Sequence, residues 1–279
     1  MSREVSSGSA HVARKRFGQH FLHDPYVIDR ILRALRPDAN DLVVEIGPGL
    51  GALTGPLLQQ LALLQVVEID RDVIPHLQRI CGPDAETKLK VHLADALQFD
   101  FGSLRTDARP LRLVGNLPYN ISTPLLFHLL GYSDQVRDMH FMLQKEVVDR
   151  LTATPGGKDY GRLTATVAAR AQADSLFDVG PGAFNPPPKV MSSVVRITPR
   201  PAAFQIDDLA VYDRVVTAAF SQRRKTLTNS LRSLMTANAI TDCGIDPGAR
   251  AEVLSPAQFA LLANHHASAG TGTGTGTGN

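Results

Sequence analysis

The stretch Asp41–Ile46, followed directly by Gly47-Pro48-Gly49-Leu50-Gly51-Ala52-Leu53-Thr54, decides the fold. Its first part is a short and almost wholly apolar run, which is typical of a buried strand in a parallel sheet. Its second part is a glycine-rich turn that opens a helix, because glycines let the backbone turn tightly and let a ligand approach it closely. This order predicts the start of an α/β domain with a ligand at the turn.

A second strand, Gln65–Asp70, carries an acidic side chain near its end. Glu68 lies about 20 residues after Gly47, where a carboxylate can accept hydrogen bonds from a ribose diol. The turn reads G-x-G-x-G and lacks the later third glycine of the dinucleotide fingerprint, which serves a pyrophosphate-binding turn. Because S-adenosylmethionine has a ribose but no phosphate, the spacing favours this cofactor over NAD.

Two later strands add polar groups at their ends. Lys90–Ala94 is predicted to be the third strand, and Asp95 after it either accepts from the adenine amino group of the cofactor or caps the next segment. Leu111–Val114 begins the fourth strand, which ends at Asn116. Since the carboxyl ends of parallel strands meet at one edge of a sheet, we expect the glycine turn, Glu68 and these side chains to line one crevice.

The turn Asn116-Leu117-Pro118-Tyr119 carries the groups that point to a substrate. Pro118 holds the backbone before it extended, so that neighbouring carbonyls can point outward. Asn116 offers an acceptor and a donor side by side, and Tyr119 offers a flat aromatic face. Together these groups suit an amino group on a planar ring. The alternative is a plain strand-to-helix turn, in which Asn116 only caps and Tyr119 only packs.

Composition excludes several classes of protein and suggests one class of partner. The chain has 279 residues and a net charge of +2, yet it carries two basic clusters without neighbouring acids, which suggest a polyanion. Its two cysteines lie far apart and outside any metal-binding pattern, so neither a metal site nor a disulfide framework is indicated and a reducing cytoplasm is expected. No apolar run approaches membrane-spanning length, and the N-terminus has no secretory pattern.

The predicted secondary structure varies along the second half of the chain. Tyr160 opens an alanine-rich helix that is predicted to reach about Gln172. Phe184–Val190 is predicted to be a rigid extended segment with an exposed aromatic ring and a cation. Residues 205–265 have a mostly helical pattern, and the Thr-Gly repeat that follows from Thr271 is of low complexity.

Several motifs occur together and resemble one family. The chain contains R-K-R-F-G-Q-x-F-L, V-E-I-G-P-G-L-G-A-L-T, E-I-D-R-D, N-L-P-Y-N-I-S-T-P-L-L-F, M-L-Q-K-E-V-V-D-R-L, P-P-P-K-V-x-S and S-Q-R-R-K-T-L. The methyltransferase motifs alone are shared by several families, whereas the N-terminal, Q-K-E-V-V and Q-R-R-K-T segments are selective. From about Arg14 to Asn264 the chain closely resembles the small-subunit ribosomal RNA adenine dimethyltransferases of the KsgA/RsmA type.

The resemblance implies a Rossmann-like α/β methyltransferase sheet and a small C-terminal helical domain. We therefore expect a flexible N-terminus over residues 1–13, the methyltransferase domain with its N-terminal arm over 14–200, a helical RNA-binding domain over 201–265 and a disordered Thr/Gly tail over 266–279. The implied activity is S-adenosylmethionine-dependent dimethylation of N6 of two adjacent adenosines in the 3′-terminal hairpin of small-subunit rRNA, coupled to subunit biogenesis. The implied partner is the small ribosomal subunit during assembly, and we expect a cytoplasmic monomer that does not engage a membrane.

The resemblance also assigns roles to individual residues. The implied cofactor contacts are His20, Leu22, Gly47, Glu68, Asp95 and Asn116. The residues implied to handle the adenine are Asn116, Leu117, Pro118, Tyr119 and Phe184. Asn116 and the carbonyl of Leu117 or Pro118 are expected to accept the amino hydrogens, while two aromatic rings sandwich an extruded base. The implied phosphate contacts are Arg14, Lys15, Arg16, Lys189, Arg223, Arg224 and Lys225.

His20 departs from the family's pattern, which usually has asparagine at this position. An imidazole can replace an amide as a hydrogen-bond donor or acceptor. Its charge, if it is protonated, would oppose the positive sulfonium of the cofactor.

Three other functions share part of this pattern. A ribosomal antibiotic-resistance methyltransferase acting on large-subunit rRNA has the core motifs, but the Q-R-R-K-T segment argues against it. A DNA N6-adenine methyltransferase would need a target-recognition insertion, and none is evident in the sequence. An assembly or transcription factor that keeps the fold without turnover would not need intact Glu68, Asp95, Asn116 and Tyr119, although a non-catalytic assembly role could coexist with catalysis.

Overall fold

The computed structural model of the chain describes residues 20–222 and 224–271. Its strands are β1 (Phe21–Leu22), β2 (Leu42–Ile46), β3 (Leu64–Glu68), β4 (Leu89–Leu93), β5 (Leu111–Asn116), β6 (Val136–Gln144), β7 (Ala171–Val179), β8 (Phe184–Asn185) and β9 (Ser192–Pro199). Its helices are α1 (Pro25–Leu35), α2 (Thr54–Leu58), α3 (Ile74–Cys81), α4 (Asp84–Lys88), α5 (Ser122–Leu130), α6 (Lys145–Leu151), α7 (Arg162–Ala168), α8 (Leu209–Ala219), α9 (Leu227–Ser230), α10 (Ala237–Asp242) and α11 (Pro256–Thr271).

Seven strands form one sheet in the order β4-β3-β2-β5-β6-β9-β7. The strands from β4 to β6 in this order pair in parallel. All residues of β2 and β3 are buried, which explains why their sequences are nearly continuous apolar runs. The order reverses around β2, so the crevice at the carboxyl ends of β2 and β5 is where a ligand is expected in such a sheet. The α/β fold class predicted from the sequence is confirmed.

Two glycines allow the close approaches that shape this edge of the sheet. A Cβ on Gly115 would clash with the Ile46 carbonyl oxygen, so only glycine fits between β5 and the end of β2. Gly49 has a φ of +52°, and a Cβ there would come within 3.1 Å of the Phe21 ring. The glycine turn therefore lies directly against β1.

A second, two-stranded sheet joins β1 to β8 in antiparallel register, with Phe21 opposite Asn185 and Leu22 opposite Phe184. This pairing brings the segment before α1 against the proline-rich segment. It also buries the Phe184 ring, which is only 3% exposed. The expectation that Phe184 is exposed is therefore wrong, because strand pairing between segments so distant in sequence cannot be read from a local proline pattern.

Strand β7 replaces the end of a predicted helix. The helix expected to reach about Gln172 ends at Ala168, and the strand begins at Ala171. The sequence Ala-Gln-Ala-Asp-Ser has little intrinsic preference for a strand. Its strand conformation comes from pairing with β9 at the edge of the sheet, a tertiary effect that outweighs local propensity.

The contacts divide the fold into two compact units, which interleave along the chain. The first contains the chain through Gln144 together with Phe177–Val194, and the second contains Lys145–Leu176 together with the chain from Val195 onward. The sequence predicts a single domain boundary at residue 200, whereas these two units alternate along the chain. The methyltransferase role expected before that boundary and the RNA-binding role expected after it stay predictions.

The second unit has its own apolar core, built from α7, α8 and the helices after them. Tyr212 is fully buried there, and its hydroxyl donates to the Ala165 carbonyl at 2.9 Å. Helix α11 continues to Thr271, so the start of the segment expected to be disordered is helical, and 272–279 lie outside the described residues. Within the part of the chain that the structure describes, no helix is both long enough and apolar enough to span a membrane.

Candidate active site

A cavity opens at the carboxyl ends of β2, β3, β4 and β5, inside the first compact unit. Its wall includes all six side chains or backbone positions expected to contact a cofactor: His20, Leu22, Gly47, Glu68, Asp95 and Asn116. It also includes Leu117, Pro118 and Tyr119. Phe184 and Lys189 are not among the lining residues. Of the ten residues expected to contact the cofactor or the adenine, the structure therefore brings nine together, from segments that lie far apart along the chain.

Asn116, the last residue of β5, has a side chain held in one orientation. Its amide Nδ2 donates to the His20 backbone carbonyl at 2.9 Å. Because a carbonyl oxygen can only accept, the amide nitrogen must face His20, which leaves Oδ1 as the free acceptor. Asn116 thus offers the cavity wall an acceptor whose direction is fixed before any ligand arrives.

The two backbone carbonyls that follow Asn116 differ in their hydrogen bonding. The Pro118 carbonyl accepts from the Ile121 N–H at 3.2 Å, in the turn that leads into α5. No donor from the described residues contacts the Leu117 carbonyl. Of the two carbonyls expected to meet an amino group, the one at Leu117 has the larger free accepting capacity.

Glu68 ends β3 with its carboxyl group buried in the cavity wall. Its Oε1 accepts from the Asp70 N–H at 2.7 Å, which fixes the side chain in the turn after the strand. Burial raises the pKa of Glu68, while hydrogen bonds from the backbone N–H groups of Asp70 and Gly49 act in the opposite direction. These bonds also tie the carboxyl group to the glycine turn.

Glu45 is a cavity residue that the sequence interpretation missed. It lies on β2, is 2% exposed, and accepts from the Thr54 hydroxyl at 2.7 Å through Oε2. Burial is the main cause that raises the pKa of Glu45 to about 8, and the nearby Glu68 carboxyl adds to it. The signal was available in the sequence, since a lone acid inside an apolar strand directly before the glycine turn needs a partner.

Asp95 combines the two roles between which the sequence did not decide. Its Oδ1 accepts from the Leu97 N–H at 2.9 Å, which is a local turn-stabilising bond. The residue nevertheless lines the cavity, just after β4. A capping bond to one oxygen leaves the other available to a ligand.

His20 connects three parts of the site. Its carbonyl holds Asn116, its Nδ1 lies 2.8 Å from the Pro186 carbonyl oxygen, and its ring centroid lies 5.5 Å from that of Tyr119. Since the Pro186 carbonyl can only accept, Nδ1 carries a hydrogen and Nε2 is the acceptor of the neutral ring. The imidazole at this position therefore makes a donor contact of the kind that an asparagine amide can also make.

Tyr119 is half-buried and anchored at its hydroxyl end. The Tyr119 and Ser192 hydroxyl groups share a hydrogen bond at 2.6 Å. Burial raises the pKa of Tyr119, so the phenol stays neutral at physiological pH. The bond to Ser192 fixes the ring beside Asn116, while the ring itself forms part of the cavity wall.

The basic residues expected to contact RNA fall partly outside the described chain. Arg14, Lys15, Arg16 and Arg223 lie outside the described residues. Lys189, Arg224 and Lys225 are exposed. No acidic side chain from the described part of the chain pairs with these three. They are available to an external anion.

A parallel sheet whose carboxyl edge carries a glycine turn, a buried acid and an Asn-Leu-Pro-Tyr turn defines the class, an S-adenosylmethionine-dependent methyltransferase. The family model for ribosomal RNA adenine dimethylases matches residues 10–268. The chain belongs to this family, so the predicted family, enzyme class and cofactor are confirmed.

Relatives agree with this assignment. The ribosomal RNA small subunit methyltransferase A of Nitrosococcus oceani is 54% identical over 256 residues, which cover 91% of this chain and 96% of that protein. The protein of the same name from Thiobacillus denitrificans is 53% identical over 259 residues, covering 92% and 99%. A dimethyladenosine transferase from Plasmodium falciparum, 27% identical, superposes with a TM-score of 0.75 over 90% of this chain and 98% of its own. The 23S rRNA methyltransferase ErmE, 24% identical with a TM-score of 0.67 over 88% and 99%, has the same fold.

Proposed function

We propose that this enzyme dimethylates N6 of two adjacent adenosines in the 3′-terminal hairpin of small-subunit rRNA, as a monomer acting on assembling small subunits in the cytoplasm. The observation that supports the proposal is Asn116, a cavity-lining residue whose Nδ2 donates to the His20 carbonyl, so that Oδ1 is left as an acceptor. An oriented acceptor in the wall of a cofactor cavity suits a substrate that presents N–H groups. The exocyclic amino group of adenine is such a substrate.

The residues present fit S-adenosylmethionine. Glu68 places a buried carboxylate at the end of β3 for a ribose diol, and Asp95 has one carboxylate oxygen free of its turn bond for an adenine amino group. The glycine turn offers a close backbone approach with no cradle for a phosphate. When it is bound, the cofactor supplies an electrophilic methyl group on a cationic sulfur.

The substrate nitrogen is a poor nucleophile, because its lone pair is delocalised into the adenine ring. Two acceptors, Asn116 Oδ1 and the Leu117 carbonyl oxygen, can take the two amino hydrogens and favour a pyramidal nitrogen. The free Leu117 carbonyl supports this choice over the Pro118 carbonyl, which already accepts from Ile121. Catalysis then depends on positioning and on preorganised dipoles and needs no strong base.

We assign the stacking face for the target adenine to Tyr119. Its hydroxyl bond to Ser192 holds the ring while the aromatic face stays free. The sandwich partner Phe184 is buried in β8 and lies outside the cavity lining, so its part in the sandwich requires a change of conformation when RNA binds. Tyr119 alone supplies a stacking surface in the conformation described here.

We assign the phosphate contacts to the basic residues predicted from the sequence, which are Arg14, Lys15, Arg16, Lys189, Arg223, Arg224 and Lys225. Replacing Arg223, Arg224 and Lys225 with alanine should weaken RNA binding and reduce the log–log salt slope by about 0.7–0.9 for each phosphate that is no longer neutralised. Cofactor binding measured by calorimetry should not change. A salt slope equal to that of the wild type would show that these residues form a solvated patch and would remove this assignment.

The proposal is tested against its nearest competitor, an enzyme of large-subunit rRNA, which ErmE shows to be compatible with this fold. Purified enzyme and methyl-labelled cofactor are incubated with small subunits and, separately, with large subunits. Both come from a strain whose rRNA carries neither the small-subunit nor the large-subunit adenine methylation. We expect label in the small subunit alone. Label in the large subunit would favour the competitor, and label in neither would favour an assembly factor without turnover.

A further inference from the structure

Val190 and Met191 form an unusual surface feature directly before Ser192 in the sequence. They are 44% and 42% exposed, and among the described residues they are the one consecutive pair of large apolar side chains with such exposure. The next residue, Ser192, is fully buried and bonds the Tyr119 hydroxyl at 2.6 Å. The exposed apolar pair therefore comes directly before the residue that anchors the ring assigned to stack on the target base.

The segment that carries this pair is held rigidly. Before it, Asn185 pairs with Phe21 in the two-stranded sheet, and the Pro186 carbonyl accepts from His20 at 2.8 Å. Pro188 is buried, so the run of three prolines is anchored at its end as well as stiff in its backbone. After it, Ser192 begins β9. Exposed apolar side chains on a stiff loop that is anchored at both ends can keep their position when they contact stacked bases.

The charge and the position of the loop favour RNA as the occupant of this surface. Lys189 is exposed directly before the apolar pair and can contact a phosphate. An enzyme that modifies the amino edge of a base must take that base out of its stack. Proteins that distort a nucleic acid stack commonly insert apolar side chains such as Met or Leu between bases.

We propose that Val190 and Met191 act as an apolar wedge, which enters the rRNA stack at the place that the target adenosine vacates. The inference rests on the proposed function, since it assumes that the adenosine enters the cavity beside Tyr119. Met191 and Val190 are positioning residues, because they contact the neighbouring bases and not the reacting atoms. Lys189 holds the adjacent phosphate.

The test uses the whole enzyme with a double variant, Val190→Ala with Met191→Ala, and a conservative one, Met191→Leu. Leu63→Ala is the matched control, because Leu63 is 40% exposed and lies before β3, towards the opposite edge of the sheet. One readout is the fluorescence of 2-aminopurine that replaces the target adenosine in a 3′-terminal hairpin RNA, at saturating enzyme. The other is the single-turnover rate of methyl transfer to unmethylated small subunits.

The wedge predicts that the double variant loses most of the fluorescence increase and at least about tenfold in single-turnover rate. The reason is that the two apolar side chains no longer contact the flanking bases and so no longer offset the cost of unstacking the target. Met191→Leu and Leu63→Ala should match the wild type, and S-adenosylmethionine affinity should not change. Removing the bases that flank the target should restore the double variant's rate, which a general structural defect would not allow.

Three results would overturn the inference. A wild-type fluorescence increase in the double variant would show that the pair does not help to extrude the base. A defect on intact subunits with normal behaviour on the hairpin RNA would assign the pair to a ribosomal protein. A wild-type enzyme that transfers no methyl group to adenosine would refute the proposed function, and the inference with it.

Discussion

Replacing Asn116 with alanine tests the chemistry of the site most sharply. The substitution removes Oδ1, the acceptor that the His20 bond leaves unused, and Nδ2, which donates to the His20 carbonyl at 2.9 Å. Loss of one preorganised polar interaction in the transition state costs about 3–4 kcal/mol, which corresponds to a rate loss of about 10²–10³. Loss of the bond to His20 costs about 1 kcal/mol more, which should appear in the free energy of unfolding or of cofactor binding.

The two costs can be separated by a second substitution. Asn116→Asp keeps an acceptor in the cavity but places a carboxylate against the His20 carbonyl, so it should damage the position of His20 more than Asn116→Ala does. Asn40→Ala removes the same kind of side chain from an exposed loop and serves as the control.

The assay is the single-turnover rate on unmethylated small subunits with cofactor and RNA both saturating, together with calorimetric cofactor affinity and a thermal midpoint. We expect Asn116→Ala to lose its activity mainly in the rate. The amide would have no part in the chemical step if the rate of Asn116→Ala stayed within threefold of the wild type. The same would follow if a higher cofactor concentration recovered the whole rate.

Three further perturbations address neighbouring residues. Glu68→Ala should weaken S-adenosylmethionine binding by about 1–3 kcal/mol, because it removes a charge-assisted acceptor, and unchanged calorimetric affinity would refute that role. Tyr119→Phe should be mild, since it loses only the bond to Ser192, whereas Tyr119→Ala should lose about 1–3 kcal/mol of stacking; equal damage from both in single turnover would give the hydroxyl a chemical role. Because the pKa of Glu45 is raised to about 8, its contribution to stability is full below the unfolded value of about 4.3 and declines as the pH rises towards 8. Thermal midpoints of the protein without cofactor should therefore fall less steeply over this range in Glu45→Gln than in the wild type, and parallel slopes would contradict the assignment.

Much of the site could be read from the sequence, because parallel strands deliver their ends to one edge. Once the glycine turn, Glu68, Asp95 and Asn116 were each placed at the end of a strand, the sheet topology required them to converge. The structure brings them together as expected. Local pattern was sufficient here because each residue lies at or just after the end of a predicted strand, and β2, β3 and β5 are strongly apolar.

The remaining features depend on contacts between distant segments. Phe184 is buried where its strand pairs with Leu22, and β7 is a strand because β9 pairs with it. The orientation of the Asn116 amide depends on a backbone carbonyl 96 residues away. No local pattern encodes such partners, so exposure at Phe184 and helix beyond Ala168 were predicted wrongly.

The most direct test of the central claim is a nucleoside analysis of small-subunit rRNA after reaction with wild-type enzyme and with Asn116→Ala. We expect digestion of the wild-type product to yield N6,N6-dimethyladenosine from two adjacent positions in the 3′-terminal hairpin, and Asn116→Ala to yield almost none in the same time. Methylation of a ribose or of another base, or dimethyladenosine formed by Asn116→Ala at the wild-type rate, would contradict the claim that the Asn116 amide presents adenine N6 for methyl transfer.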